Sequence, residues 1–351
     1  MTIKRVKSFM AAMLTAGFAA MGSPVQAADN EVVFGGFGGS FEKAMKESVI
    51  PIFEKKYGVK VVYITGTSSQ LTAKIMASPE NHGIDIIWGI DSSYYIGRQA
   101  GLWDKIDAAN MPNLKDLYPF AIYEDGTGVM IGMQSLGIEY NAQVFEEKGW
   151  EPPSSWEDLW DPKYKDHLAL YNLPGGYATE FFSVVAELTG AKAPDFEAAW
   201  PKMEQLVANA FAFVDPPAQL DALFATGGAW ITFNGSARVG QLANNGVPVA
   251  FAAPKEGAIV NPLQFLVVKN GPNPELATKF INEALGVEAQ KEMAERLLLG
   301  PVNKNVELSA EAAARVPYRE STEKLWLINQ DPINANVKAL TERWTEVVSN
   351  R

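Results

Sequence analysis

The sequence predicts an α/β fold in two lobes, each a mostly parallel sheet flanked by helices, with a hinge of crossing strands. Three observations predict it. Residues 31–88 alternate strand and helix patterns in a β-α-β-α-β order, and parallel strands need such crossovers, which cover both faces of the sheet. A second alternation occupies residues 167–224. Between them, Val129-Met130-Ile131-Gly132-Met133 and Leu136-Gly137-Ile138-Glu139-Tyr140 read as extended chain crossing from one lobe to the other.

Element by element, residues 31–34 begin as a strand, Gly35-Gly36-Phe37-Gly38-Gly39-Ser40 turns, and residues 41–56 are helical with Pro51 interrupting them. A strand at 59–64, a loop at 65–69, a helix at 70–77 and a strand at 84–88 complete the first unit, whose binding edge lies at the carboxyl ends of its strands. Further on, Pro152 and Pro153 stiffen the chain and Ser154 or Ser155 caps a helical turn at 156–160. Glu157 and Asp158 sit in that first turn, where the helix dipole favours anions.

Asp161-Pro162 ends the turn, 167–171 has a strand's length, and Asn172, Pro174, Gly175 and Gly176 form a turn. Helices follow at 179–188, 196–207 and 216–224, with a strand at 210–214. Leu276, Phe280, Ile281 and Leu285 share one helical face that Gly286 stops, and Val337, Leu340, Trp344, Val347 and Val348 make a second apolar stripe. Both stripes are expected in the core.

Residues 1–28 read as an export signal. Lys4, Arg5 and Lys7 form a positive start, an apolar run from Phe9 to Met21 is broken only by Thr15 and Gly17, and Val25-Gln26-Ala27 fits a cleavage site after Ala27 or Ala28. The run falls short of the ~20 residues that span a hydrocarbon core. With no cysteine in the chain, a lipid anchor through that residue, disulfides and thiol chemistry are excluded. The formal charge of −11 becomes −14 once Lys4, Arg5 and Lys7 are removed. Such a surface repels phosphate backbones, which argues against nucleic acid as a partner.

Five turns share a pattern of small polar residues between a strand end and a helix start: Gly38-Gly39-Ser40, Thr67-Ser68-Ser69, Asp91-Ser92-Ser93, Gly175-Gly176-Tyr177 and Asn234-Gly235-Ser236. Each exposes unpaired N–H groups and partial positive charge, suited to a carboxylate, a carbonyl or water, and each is also an ordinary helix cap taken singly. Rings lie beside them at Phe37, Tyr94, Tyr95, Tyr177, Trp230 and Phe233, and a box of rings holds an ammonium at ~0.5–2 kcal/mol per contact. Asp91 and Glu180 are the carboxylates next to these turns. Arg238 either faces a ligand carboxylate or is a solvated helix residue.

Catalytic patterns are weak. His82 and His167 are the two histidines and form no H-E-x-x-H; Gly36-Phe37-Gly38-Gly39-Ser40-Phe41 lacks the last glycine of a dinucleotide loop; no phosphate-binding P-loop or G-x-S-x-G occurs. No cofactor is implied. A secreted α/β hydrolase or lyase is the enzymatic alternative.

Two blocks carry a family resemblance. The run from Pro153 to Lys165, PSSWEDLWDPKYK, resembles the start of the second domain in periplasmic solute-binding proteins of ABC importers, in the branch that binds spermidine, putrescine, small amino acids and ferric ion. The run from Trp230 to Gly257, with Phe233-Asn234-Gly235-Ser236-Ala237 and Pro254-Lys255-Glu256-Gly257, resembles that branch's W-N-G-S-A and P-K-E-G-G segments. The resemblance extends from about Glu31 to beyond Asn305.

It implies a type II periplasmic-binding-protein fold, with lobe 1 formed by residues 29–135 and 265–308 and lobe 2 by 136–264 and 309–351. It also implies that all five turns face one interlobe cleft, closing about a hinge near 133–140 and 263–268. The expected partners are a small-molecule ligand and the permease and ATPase of an importer, with the receptor itself a monomer. Phe37, Tyr94 or Tyr95, and Phe233 inherit the family's ring positions. The resulting ligand-binding set is Phe37, Gly39, Ser40, Thr67, Ser68, Asp91, Ser92, Tyr94, Tyr95, Tyr177, Glu180, Trp230, Phe233, Asn234 and Gln264, with no metal site.

The chain departs from the polyamine pattern in two places. Ile259-Val260-Asn261-Pro262-Leu263-Gln264-Phe265 has no acid where the branch carries Trp and Asp, and Tyr177 stands where an acid is expected. Burying a dication with fewer counter-charges is costly, so a monoamine or amino acid-like zwitterion is expected. The Tyr94-Tyr95 pair leaves ferric ion as an alternative cargo.

Overall fold

The structure, a computed structural model, describes residues 30–175 and 177–351, so the export segment and Gly176 lie outside the described residues. Ten strands are present among those described: β1 (Glu31–Gly36), β2 (Lys60–Thr65), β3 (Ile86–Gly89), β4 (Val129–Asn141), β5 (Leu168–Tyr171), β6 (Ala210–Val214), β7 (Ile231–Gly235), β8 (Val249–Ala252), β9 (Ala258–Val267) and β10 (Leu325–Trp326). They join in the order β2-β1-β3-β9-β4-β7-β5-β6, with β8 on β4 and β10 on β9. The trios β1-β2-β3 and β5-β6-β7 are parallel, as predicted, while β4 and β9 run antiparallel to their neighbours between them. The inner parallel strands β1, β3, β5 and β7 are covered on both faces, while the edge strands β2 and β6 are partly exposed. β1, for instance, is buried from Val32 to Gly36 without alternation.

The two crossing strands hold the halves together. β4 is buried along all thirteen residues; it pairs with β9 from Val129 to Leu136 and with β7 and β8 from there to Asn141. Apolar packing changes sides along it. Met133 and Val260 belong to a core with Phe34, Trp88 and Phe280, whereas Leu136 and Ile259 belong to another with Trp156, Phe181 and Trp344.

On β9 this change falls at Ile259–Val260, ahead of the 263–268 segment where the resemblance places the hinge, because the strand begins at Ala258 and runs straight through Pro262. Met133, opposite Pro262, exchanges both its backbone bonds with Gly300 (3.0 and 2.7 Å). Pro262 therefore occupies a non-hydrogen-bonded position, where its missing N–H costs nothing. Pro51 likewise does not interrupt its helix. A widened π-type turn, Met45–Val49, comes just ahead of it and accommodates the lost donor.

The two sequence blocks that carry the resemblance meet in space. Trp156 is fully buried, its Nε1 donates to the Gly257 carbonyl (3.0 Å), and its backbone N–H donates to Glu256 Oε2 (3.2 Å). Ser155 caps the short 3-10 turn Trp156–Trp160 and its hydroxyl donates to Glu256 Oε1 (2.5 Å). The Lys255 N–H donates to the Ser154 carbonyl (2.7 Å). Trp156 thus ties the connector to the loop that leads into β9.

Candidate functional site

The carboxyl ends of the six parallel strands point at the crossing. β3 ends at Gly89 beside Gln264, and β7 ends at Gly235 beside Leu136. Beyond those ends lie the predicted turns and one more, Val214-Asp215-Pro216, before the Pro217–Ala225 helix. Between the Gly89–Gln264 pair on β3 and the β10 pairing at Ala258–Ile259, residues 260–263 of β9 have no strand neighbour on that edge. A cavity of about 560 Å³ opens there, lined by Asp91, Tyr94, Arg98, Tyr123 and Pro262 on one side and Leu327, Gln330 and Asp331 on the other. A larger groove of about 1040 Å³ lies elsewhere, between the Ser236–Asn244 helix and residues 314–326, away from the strand ends of the first half.

Electrostatics single out Asp91, the first residue of the Asp91–Gln99 helix. Removal from water pushes its carboxyl up to about 7, and the negative charges of Glu180 and Asp331 push in the same direction. Glu180, in the first turn of the Ala178–Thr189 helix, is also pushed up by burial, and accepts from its neighbour Thr179 Oγ1 at 2.8 Å. The charge of Glu180 therefore reaches Asp91 from the other lobe. Buried acids with raised proton affinity in a cleft are characteristic of sites that await a cation.

Tyr177 reaches over the Asn234-Gly235-Ser236 turn, its hydroxyl at 3.5 Å from Gln134 Oε1 on β4. Gly235 permits this approach, since a Cβ there would stand 2.6 Å from the Tyr177 hydroxyl. Gln264 is fully buried; its Oε1 accepts from Tyr123 Oη (2.8 Å) while its Nε2 has no partner. An unpaired buried donor of this kind has a standing demand for an acceptor.

Other predicted residues have different places. Phe37 packs between Phe41 (5.4 Å) and Trp88 (5.8 Å) at the edge of the first core, with its carbonyl accepting from Tyr63 Oη at 2.5 Å. Gly39 and Ser40 are exposed at a helix start, where Gly39 takes the left-handed φ of 67°. Ser68 is buried and its hydroxyl contacts that of Ser93, which caps the 91–99 helix. Its neighbour Ser92 is half-buried. Tyr94 stacks on Tyr123 (4.5 Å) and its hydroxyl donates to Asp125 (2.9 Å), while Tyr95 lies under the Arg98 guanidinium (5.8 Å).

Five expectations need correction. Phe233 points into the second core, stacked on Phe181 at 4.0 Å, because alternate residues of β7 face opposite sides. Asn234 is buried and spent internally, donating to Glu139 Oε2 (2.7 Å) and accepting from the Gly235 N–H (2.9 Å). Trp230 precedes β7 at the end away from the cleft, stacked on His167 (3.3 Å) with Lys148 over its face (4.5 Å). Arg238 is neither free nor merely solvated: its guanidinium forks onto Asp221, with Nε at 3.0 Å from Oδ1.

Thr67 is the fifth. It is an exposed cap whose hydroxyl accepts from the Gln70 N–H (3.2 Å), in a box that Gln70 closes by accepting from the Thr67 N–H (3.0 Å). Thr67→Ala is accordingly expected to cost about 1 kcal/mol of stability without altering solute affinity, as denaturant melts and titration calorimetry would measure.

Residues that sequence reasoning missed are Tyr123, Gln134 and Asp331. Gln134 carried a signal as the polar residue inside an apolar run. Asp331, first in the Asp331–Ser349 helix, and Tyr123, outside any strand or helix, carried none that pattern reading detects.

A chain folded as two α/β lobes around crossing strands, with strand ends and helix starts converging on the gap, defines a solute receptor of a transport system. It belongs to the bacterial extracellular solute-binding protein family, whose model matches residues 49–318. It is 28% identical over 310 residues to the spermidine/putrescine-binding periplasmic protein of Salmonella typhimurium, covering 83% of this chain and 84% of the relative. It is 25% identical to the gamma-aminobutyric acid-binding protein of Pseudomonas aeruginosa over 81% of this chain and 80% of the relative. Among solved structures, an ABC transporter protein from Clostridium perfringens superposes with a TM-score of 0.81 at 27% identity, over 90% of this chain and 99% of that one. The protein is the solute-binding component of an ABC importer, and its relatives are binding proteins of transporters.

Proposed function

We propose that this receptor takes a small solute bearing a single ammonium group, a monoamine or an amino acid-like zwitterion, and delivers it in the periplasm to the importer's permease. The observation that carries this reading is the pair of raised acids at the strand ends: Asp91, raised by burial and by the charges of Glu180 and Asp331, and Glu180, raised by burial. Two acids nearby are already paired with arginines. Asp331 is paired with Arg98 and Asp221 with Arg238. Near neutral pH Asp91, raised to about 7, carries less than a full negative charge, which suits one ammonium better than two.

An arriving ammonium displaces the proton and supplies the missing counter-charge. Affinity for an amine should therefore fall as pH drops from 8 to 5, with proton release from Asp91 on binding visible as a buffer-dependent heat in titration calorimetry. Affinity that is flat across this window would sink the assignment. A thermal-shift screen of monoamines, amino acids, polyamines and ferric citrate identifies the cargo, since ligand at 100 times its dissociation constant adds ~2.7 kcal/mol.

The polyamine reading keeps the support of the spermidine/putrescine-binding relatives. The ferric alternative has less, because the Tyr94 hydroxyl is spent on Asp125 and no group of three His, Cys, Asp or Glu among the described residues is disposed to hold a metal.

In this reading, closure occurs about the places where β4 and β9 pass from one core to the other, between Met133 and Leu136 and at Ile259–Val260. A solute bridging Asp91 and Glu180 binds the closed state better and shifts the population by that difference. The permease would read the closed form. Export would follow from cleavage after Ala27 or Ala28, which the mass of periplasmic protein tests directly.

A further inference from the structure

We propose that Arg98 is a specificity-determining residue: an internal cation that neutralises Asp331 in the wall of the cleft and so stands where the second ammonium of a diamine would otherwise bind. The inference rests on the amine reading of the same site and extends it from one charge to the exclusion of two.

Arg98 and Asp331 come from opposite lobes. Arg98 is on the helix that begins with Asp91, and Asp331 opens the C-terminal helix that packs Ile333, Leu340 and Trp344 into the second core. Their atoms meet at 2.5 Å, and Arg98 also lies 3.8 Å from Asp125 and 5.2 Å from the centroid of the Tyr94 ring. Asp331 sits in the first turn of its helix and has Arg98 as its cation, so removing Arg98 leaves its carboxylate without that partner.

Asp91, Arg98 and Asp331 line the same 560 Å³ cavity. Asp91 and Asp331, with the exposed Glu124 as a third acid of the lining, thus flank a space in which one cation is already supplied by the protein. The remainder of that space suits a methylene chain. Tyr94 and Tyr123 form one wall, and Ile122 and Leu327 are on its rim, 36% and 54% exposed, unusually high for large apolar side chains. Arg98 also has somewhere to go, since Asp125 already lies 3.8 Å from it and its other partners, Tyr94 and Thr127, are neutral donors.

A purely mechanical cross-lobe clamp would have another signature. Breaking an ion pair that only holds the lobes together lowers affinity for every solute. Removing a built-in cation changes the preference between one charge and two.

Titration calorimetry on the mature full-length protein, with n-butylamine, 1,4-diaminobutane and 1,5-diaminopentane as probes, separates these. For Arg98→Ala, affinity for at least one diamine is expected to rise tenfold or more relative to n-butylamine, and Asp331→Asn added to it should remove the gain. Arg98→Gln, which keeps side-chain packing on Tyr94, should show the same direction if the alanine variant folds poorly. A uniform fall for all three amines, or an unchanged diamine-to-monoamine ratio, overturns the inference while leaving the amine reading in place. Failure of the wild-type protein to bind any amine, with failure of the variants too, overturns both.

Discussion

Replacing Asp91 by Asn is expected to weaken amine binding by roughly 100-fold, about 2.7 kcal/mol, while making the unliganded protein more stable. The two effects share a cause. In the empty cleft the carboxylate is penalised by burial and by the charges of Glu180 and Asp331, which is why its proton is held up to about 7. A folded value above the unfolded one means that the native state binds more protons in between. Its stability is therefore greatest below the unfolded value and declines as pH rises toward 7.

Asparagine removes that penalty. Because Asp91 is only partly buried by surface area, solvent screening reduces the gain, and about 1–2 kcal/mol is expected at pH 8, shrinking toward pH 5. Saturating amine should restore the same stability to the wild type and very little to the variant. Calorimetric melts at pH 5 and 8 with and without solute test all three statements. A variant that binds amine with wild-type affinity removes Asp91 from the site.

The largest effect on folding is expected from Trp156→Ala. The side chain is fully buried, packs near Phe181 (5.8 Å) and donates to the Gly257 carbonyl. Truncating a buried tryptophan costs about 3–5 kcal/mol in transfer and cavity terms, and the Gly257 acceptor is left unpaired. A fall in melting temperature of roughly 5–8 °C follows for a chain of this size if the two lobes unfold together. Trp156→Phe keeps most of the ring volume but not the hydrogen bond and should fall between the two. A melting temperature within one degree of wild type for the alanine variant would show that the connector does not anchor the second lobe to the β9 loop.

Trp156 also illustrates what a sequence can reveal. Its block was legible because caps, prolines and acids act over a few residues: Ser155, Glu157, Asp158 and Asp161-Pro162 specify a short helical turn wherever they occur. The same locality made the α/β alternation and the crossing strand β4 readable. It misled at Pro51, where a locally disruptive residue is tolerated because of the widened turn just ahead of it.

The site was legible only in part. Asp91 and Glu180 could be singled out because each stands at a helix start beside a turn. Phe233 and Asn234 occupy an equally suggestive position, yet one faces the core and the other a buried glutamate, Glu139. Strand register decided this, and register depends on neighbours far along the chain.

By itself the sequence determined two α/β units, their order, the extended crossing between them and the turns at their strand ends, because those follow from the periodicity of apolar residues and the chemistry of short-range caps. Only the tertiary structure decided which turn residues reach the cleft and how much charge they leave there. Arg98 meets Asp331 across 233 residues, and burial, which sets the cost of each carboxylate, is a property of the assembled fold.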